Sequence, residues 1–224
     1  TMQRHDAWAR NFLQAQEVVS ATRFDRQAAW KNSKLFRHLL RMAVTREERF
    51  LELAAKYFDF SDVVEIGKRM IGTGLIGGKS VGLLLSRAIL KKEDPRLSAK
   101  LEPHDSFFIG SDVFYTYLIE NQCWWMRRDL SASAPNFAGA QELQARMRAG
   151  SFPADIKNQF IEMLEYFGQS PIIVRSSSLL EDAYGNAFSG KYESVFCVNQ
   201  GTPEERLESF MNAVRTVYSS AVSK

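Results

Sequence analysis

The sequence predicts an α+β domain in which helices pack around a small sheet. Apolar residues recur at helical spacing along much of the chain, as at Trp8 and Phe12. Three short runs, 106–109, 172–177 and 193–198, have instead the apolar or alternating composition of strands. We therefore expect these three runs to share one small sheet, with helices packed around it and a helical N-terminal segment alongside.

The overall composition is that of a globular protein and excludes several functional classes. Of 224 residues, 45% are hydrophobic and 25% are charged. The 29 basic and 26 acidic side chains give a net charge of +3 and form no basic stripe, so we expect no nucleic-acid partner. The N-terminus has no signal-peptide pattern, and no apolar run approaches the roughly 20 residues that cross a bilayer. We expect a cytoplasmic protein with no membrane partner.

Cys123 and Cys197 allow either one disulfide or two free thiols. They lie far apart in the sequence, and neither belongs to a C-x-x-C pair. A structural zinc site needs about four closely spaced ligands, so this class of site is excluded. Two free thiols fit the reducing cytoplasm better than one disulfide does.

Residues 1–70 are expected to form a helical N-terminal extension of three or four helices. This segment contains no proline, and its apolar positions follow helical spacing. Asp25 and Thr45 are predicted N-caps, and Glu48 completes a capping-box pattern with Thr45. The simplest interpretation of the extension is a packing role.

A glycine-rich turn precedes the next predicted helix, residues 80–91. Four glycines between positions 72 and 78 indicate backbone with positive φ or a close approach to another group. The segment misses the Walker A pattern because Thr73 stands where that motif needs glycine, and 68–71 is a weak strand pattern. A helix start still favours an anion, and Lys79 adds a flexible positive charge. The alternative is an ordinary connecting turn.

The rest of the chain alternates helical patterns with loops. Helices are expected at about 113–121, 140–148, 154–167 and 202–219, and loops at 131–139 and 184–192. In the helix at 80–91, the residues available for burial are Leu83, Leu84, Ala88 and Leu90.

Arg175 stands at the end of an apolar strand pattern and is followed by three serines. Its guanidinium can present a bidentate fork to a phosphate, and the hydroxyls can add donors. The alternative is a local ion pair between Arg175 and Glu181 or Asp182. Residue types alone leave both interpretations open.

A third polar segment, 188–194, contains Gly190 and Ser194. Gly190 allows close backbone approach, and Ser194 supplies a hydroxyl group. Taken singly, this segment is an ordinary hairpin edge.

The order of these segments resembles the phosphoenolpyruvate synthase and pyruvate phosphate dikinase family. Residues 77–83 (GGKSVGL) resemble the family's G-G-K-x-x-x-L entry. Residues 102–109 (EPHDSFFI) resemble its V-P-x-G-F-x-[IV] strand, and 111–114 (SDVF) the following [ST]-x-x-[FY] helix start. Residues 174–182 (VRSSSLLED) resemble V-R-S-S-A-x-x-E-D, and 188–194 (FSGKYES) resemble F-A-G-Q-Q-[DE]-T. The last two motifs are the most specific.

This resemblance implies that residues 71–224 form the first lobe of an ATP-grasp nucleotide-binding domain. In that family the glycine-turn lysine and the V-R-S-S arginine hold the triphosphate of ATP, while the F-A-G segment closes over it. By position, these roles fall on Lys79, Arg175, Gly190 and Ser194. The resemblance further implies that Lys79 and Arg175 face one open cleft, with Gly190 and Ser194 on its rim.

The sequence departs from the family pattern at four positions. Gly82 replaces a usual Asn, Asp105 replaces a Gly, and Lys191 and Tyr192 replace the paired glutamines. These differences concern the phosphoryl acceptor more than nucleotide binding. Residues 1–70 have no counterpart in the resemblance.

The resemblance also implies a longer parent protein. In the family, the adenine pocket and the acidic Mg²⁺ ligands come from a second lobe, and separate domains carry the phosphorylated histidine and the pyruvate-binding barrel. We expect this chain to be a piece of such a kinase or phosphotransferase, to have its remaining domains as partners, and to be inactive alone. The acceptor is left open among pyruvate, a glucan and an antibiotic. The alternative is a non-catalytic regulatory or interaction module that uses residues 1–70 to bind a partner.

Overall fold

The computed structural model describes residues 7–21, 33–102, 104–132, 137–178, 182–183, 186–187 and 192–222. The chain divides into two compact units, Thr1–Ser111 and Asp112–Lys224. Helices dominate both units, and the described strands occur in short pairs. The predicted α+β class is therefore confirmed.

The first unit opens with helices, in agreement with the pattern of residues 1–70. The elements are α1 (Ala7–Ala21), α2 (Lys34–Leu39), a π-helical turn (Leu40–Val44), α3 (Glu48–Tyr57) and α4 (Phe60–Lys68). Helix α4 starts with a capping box between Asp59 and Asp62. Helix α1 packs closely on α4, because a Cβ atom at Gly67 would lie 2.3 Å from the Phe12 ring.

The predicted capping box of Thr45 and Glu48 is wrong. Glu47 is the N-cap of α3, and its carboxylate accepts hydrogen bonds from the amides of Arg49 and Phe50. Thr45 instead ends the π-helical turn in an extended conformation, and its hydroxyl accepts from the Glu47 amide at 3.2 Å. The other predicted cap, Asp25, lies outside the described residues.

A single buried cluster joins the N-terminal helices to the elements that follow position 70. Phe36 and Phe60 are buried in its interior, with ring centroids 5.0 Å apart. The same cluster includes four residues from beyond position 70: Ile76, Val81, Leu85 and Phe108. The helical extension and the glycine turn thus share one hydrophobic core.

The described residues of the first unit include one short parallel strand pair. Strand β1 (Met70–Ile71) pairs with β2 (Phe108–Ile109), and between them lie α5 (Gly78–Glu93) and α6 (Pro95–Ser98). In α5 the buried side chains are Val81 and Leu85.

The burial predicted for two α5 residues is wrong, since Leu83 is 45% exposed and Leu90 37% exposed. The i, i+4 spacing of Val81 and Leu85 defines the inner face of the helix, and Leu83 lies off that stripe.

Five helices are described in the second unit, the first of which starts at Ser111, the last residue of the first unit. These are α7 (Ser111–Glu120), α8 (Trp124–Ala132), α9 (Phe137–Ala149), α10 (Ala154–Phe167) and α11 (Pro203–Ser220). The predicted loop at 131–139 is wrong at both ends, because α8 extends through 132 and α9 starts at 137. The alanines there favour helix, although the serine and glycine content of the segment predicts a loop. Residues 133–136 lie outside the description.

Aromatic side chains from several helices form the core of the second unit. The Phe160 ring meets Phe152 and Phe210 edge to face, with centroids 5.2 Å and 5.0 Å away. The Tyr117 ring lies 4.6 Å from that of Phe152, and the Tyr117 hydroxyl donates to the Met147 carbonyl. This core anchors α7, α9, α10 and α11.

The strands of the second unit form two antiparallel pairs. Strand β3 (Ile172–Arg175) pairs with β6 (Ser194–Cys197), and β4 (Asp182–Ala183) pairs with β5 (Asn186–Ala187). Each of the three predicted strand regions contains a strand, but the described strands form three separate pairs rather than one sheet. The reason is that 70–71, where the sequence pattern is weak, supplies the partner of 108–109.

Candidate functional site

The glycine turn of the first unit adopts the backbone that its composition predicts. Gly72, Gly74 and Gly77 have φ values of 70°, 86° and 83°. This left-handed region is costly for residues with a side chain. Gly77 is the N-cap of α5, and Lys79 is therefore the second residue of the helix.

Two long-range contacts fix the middle of the glycine turn. The Leu75 amide donates to the Ser111 hydroxyl at 3.1 Å, and the Ser111 amide donates back to the Leu75 carbonyl at 3.1 Å. The next amide, of Ile76, donates at 3.0 Å to the carbonyl of Ala43 in the π-helical turn. The turn is thus held at Leu75 by Ser111 and at Ile76 by Ala43, both residues of the first unit.

Lys79 stands where a helix attracts anions. Helix α5 has 16 residues, and no acidic side chain occupies its first turn. The amide groups at a helix start carry a partial positive charge, which favours a phosphate group. Lys79 is half-buried, so part of its side chain packs against the protein.

Asp105, one of the positions that depart from the resemblance, has an ion-pair partner in Arg69. A carboxylate oxygen of Asp105 lies 2.5 Å from Nη1 of Arg69, whose guanidinium lies 5.5 Å from the Phe107 ring centroid. Burial is the main cause that lowers the pKa of the adjacent His104, and the charges of Arg87 and Arg69 lower it further. The carboxylate at position 105 thus belongs to a charged cluster with Arg69, next to His104.

The second unit brings Arg175 and Ser194 together. These residues are direct cross-strand partners at one end of the β3–β6 pair, and both are exposed. The neighbouring Val174 is buried, as alternation along a strand requires. The alternative partners of Arg175, Glu181 and the side chain of Asp182, lie outside the described part of the chain, as does Gly190.

Lys79 belongs to the first unit, whereas Arg175 and Ser194 belong to the second. The structure therefore unites two of the four predicted phosphate contacts. The convergence of Lys79 and Arg175 on a shared cleft stays a prediction.

Asn199 supports the β3–β6 pair and was not identified from the sequence. It is 3% exposed and has a φ of 57°. Its amide nitrogen donates to the carbonyls of Gly168 at 3.0 Å and Ser170 at 2.8 Å, just before β3. Arg206 of α11 donates to the Asn199 side-chain oxygen at 2.9 Å. Asparagine tolerates the left-handed region, so its place between a strand and a glycine is the one available signal.

The comparison with protein families identifies residues 73–224 as a pyruvate phosphate dikinase, AMP/ATP-binding domain. The chain therefore belongs to this family, whose domain is the N-terminal part of phosphoenolpyruvate synthases and pyruvate phosphate dikinases. No curated protein and no solved structure matches the chain.

The family match makes this chain an ATP/AMP-binding domain. The matched region includes Lys79, Arg175, Gly190 and Ser194, and it starts inside the glycine turn.

Among the residues that the structure describes, no group of three or more His, Cys, Asp or Glu side chains is placed to hold a metal ion. In the same residues, no helix has the length and apolarity needed to cross a membrane.

Proposed function

We propose that this chain grips the phosphates of ATP for a phosphoenolpyruvate synthase-like or pyruvate phosphate dikinase-like phosphotransferase. The observation that carries the proposal is the glycine turn. Positive φ at Gly77 and the Ser111 contacts shape its backbone, and Lys79 follows at the start of a 16-residue helix. Membership of an ATP/AMP-binding family supports the identity of the ligand.

Lys79 and Arg175 supply the positive charges in this proposal. Phosphoryl transfer depends mainly on positioning and on neutralising the charge that develops on the phosphate oxygens. Lys79 acts as a flexible point charge beside the helix amides, and Arg175 presents a planar fork from the end of β3. The hydroxyl of Ser194, directly opposite Arg175, adds a donor. Gly190 allows the backbone to approach the phosphates closely.

The later steps of the reaction belong to other parts of the parent protein. We infer that a histidine domain outside this chain receives the phosphoryl group. We infer that the acidic Mg²⁺ ligands lie in the second lobe of the parent protein, outside this chain. Groups that act as a unit give strongly non-additive effects, so the purified chain should bind ATP without turning it over.

The test is ATP affinity, measured by NMR titration of the purified chain and its variants. Lys79→Ala and Arg175→Ala should each weaken binding about 10- to 150-fold, the range for loss of a hydrogen bond to a charged group. The matched controls are Lys100→Ala, an exposed lysine of the first unit, and Arg146→Ala, whose surface ion pair is with Glu142. Equal weakening by the controls, or no binding by the wild-type chain, would contradict the proposal.

A further inference from the structure

The glycine turn takes one of its fixed points from a segment outside the family domain. The Ile76 amide donates at 3.0 Å to the carbonyl of Ala43, which belongs to the π-helical turn Leu40–Val44. The family match starts at residue 73, so Ala43 lies in the helical extension. Both residues are buried, and a buried amide without an acceptor is costly. The position of the chain at Ile76 therefore depends on the extension.

The carbonyl of Ala43 is available to the turn because of the way the helix before it ends. In a continued α-helix the Glu47 amide would donate to the Ala43 carbonyl, four residues earlier. Here the Glu47 amide donates at 3.2 Å to the hydroxyl of Thr45. The Thr45 amide donates at 2.9 Å to the carbonyl of Leu40, five residues earlier. The last carbonyls of a helix need donors from elsewhere, and the donor for Ala43 is the Ile76 amide.

Thr45 is a buried polar residue in an apolar environment. It is 1% exposed, and its neighbours Ala43 and Val44 are completely buried. Burying a hydroxyl costs free energy unless it is hydrogen-bonded, and the Glu47 amide supplies that bond. Single π-helical turns occur frequently at functional sites. The buried hydroxyl thus has a specific task at the end of this turn, which is to occupy the Glu47 amide.

Ile76 directly precedes the residues that start α5. Gly77 is the N-cap, with a φ of 83°, and Lys79 is the second residue of the helix. A displacement of about 1 Å in a group that positions a substrate can reduce a rate about 100-fold. The bond from Ile76 to the extension is therefore placed to affect how Lys79 and the helix amides meet a phosphate.

We propose that Thr45 and Ala43 are positioning residues for the glycine turn, so that nucleotide affinity depends on the helical extension. The inference rests on the proposed function, because it takes the turn and Lys79 as phosphate contacts. It gives the extension a role beyond packing, since one hydrogen bond from the π-helical turn sets the conformation of the glycine turn. Coupling between two sites is reciprocal, so bound ATP stabilises the π-helical turn in return.

The test compares two substitutions of Thr45 in the purified chain, with ATP affinity and amide hydrogen exchange measured by NMR. Thr45→Val keeps the shape of the side chain but removes the acceptor of the Glu47 amide, which then competes for the Ala43 carbonyl. Exchange at the Ile76 amide should accelerate about fivefold, the factor of one net hydrogen bond, and ATP affinity should fall by a similar factor. Thr45→Ser keeps the hydroxyl and should retain both. In the wild-type chain, saturating ATP should slow exchange at the Thr45 amide.

A control variant separates positioning from stability. Phe12→Leu shortens a buried side chain of the same core, where α1 meets Gly67, and should lower the melting temperature without changing ATP affinity. Replacement of Ile76 by its α-hydroxy acid turns its amide into an ester and removes only the donor. This ester should weaken ATP binding as Thr45→Val does, and it decides the question if Thr45→Val does not fold.

Each other outcome identifies what fails. If Lys79→Ala weakens ATP binding while Thr45→Val and the Ile76 ester bind ATP as the wild type does, the positioning role is wrong and the proposed function stands. If Phe12→Leu weakens ATP binding as much as Thr45→Val, the effect is one of general stability and the positioning role is again wrong. If the wild-type chain does not bind ATP, both proposals fail.

Discussion

The glycine turn and the β3–β6 pair are built in opposite ways. The turn depends on backbone groups, which hydrogen-bond to Ser111 and to Ala43, and on a core that includes Ile76 and Val81. The β3–β6 pair presents its proposed contacts as side chains on an exposed face. Substitutions near the turn should therefore change stability and binding together. Substitutions on the exposed face should change binding alone.

The largest difference is expected between two phenylalanines. Phe36→Ala should lower the free energy of unfolding by about 3–5 kcal/mol, because Phe36 is completely buried in the core that supports the turn. Phe196→Ala should lower it by less than about 0.5 kcal/mol, because that ring is 79% exposed. Urea unfolding of both variants measures the contrast. Similar losses in the two would mean that the Phe196 side chain is packed in solution.

The next largest effect concerns the support of the strand pair. Asn199→Ala should lower the free energy of unfolding by about 2–4 kcal/mol. The substitution leaves the carbonyls of Gly168 and Ser170 without their donor, and it places Ala at a φ of 57°. Asn199→Gly keeps the backbone conformation and loses only the hydrogen bonds. We expect thermal unfolding to rank the glycine variant between the wild type and the alanine variant. Equal stability of all three would show that Asn199 does not support the strand pair.

Removal of one hydroxyl should loosen the glycine turn. Ser111→Ala deprives the Leu75 amide of its acceptor and should cost about 1 kcal/mol. Hydrogen exchange at Leu75 should accelerate, whereas Ser111→Thr should retain protection. Ser86→Ala, at an exposed position of α5, is the matched control. Unchanged exchange at Leu75 in Ser111→Ala would show that the turn does not depend on this contact.

The smallest effect is a pH dependence in the first unit. The pKa of His104 is lowered by burial and by Arg87, Arg69 and Lys91, against a smaller opposing effect of Asp105. The unfolded chain therefore binds a proton more readily than the folded one. The free energy of unfolding should therefore be larger above about pH 6.5. It should decrease as the pH falls through the lower pKa that His104 has in the folded chain. His104→Asn should flatten this part of the stability curve, and an unchanged curve would contradict the assignment.

Local chemistry allowed part of this structure to be predicted from the sequence. The glycines of the turn indicated positive φ, which Gly72, Gly74 and Gly77 adopt, and the start of α5 near Lys79 followed from them. The strand at 70–71 was underestimated, because two residues are too few to show a period of two.

The contacts that shape the candidate site could not be predicted from the sequence, because they form only in the folded chain. The Ser111 hydroxyl acts on Leu75, 36 positions away, and Arg175 meets Ser194 through strand register. Neither contact leaves a local pattern, since both depend on tertiary pairing. In the sequence, Ile173 and Phe196 have the pattern of ordinary strand residues. Only the strand register shows that their exposed side chains lie beside Arg175.

The central claim is that Lys79 and Arg175 act on the same ATP molecule, and calorimetric titration of a double-mutant cycle tests it most directly. The wild-type chain should bind one ATP. Lys79→Ala and Arg175→Ala should each weaken that single event, and the double variant should lose less than the sum of the two single losses, as coupled groups do. Two ATP molecules per chain, or full affinity in either single variant, would contradict the claim.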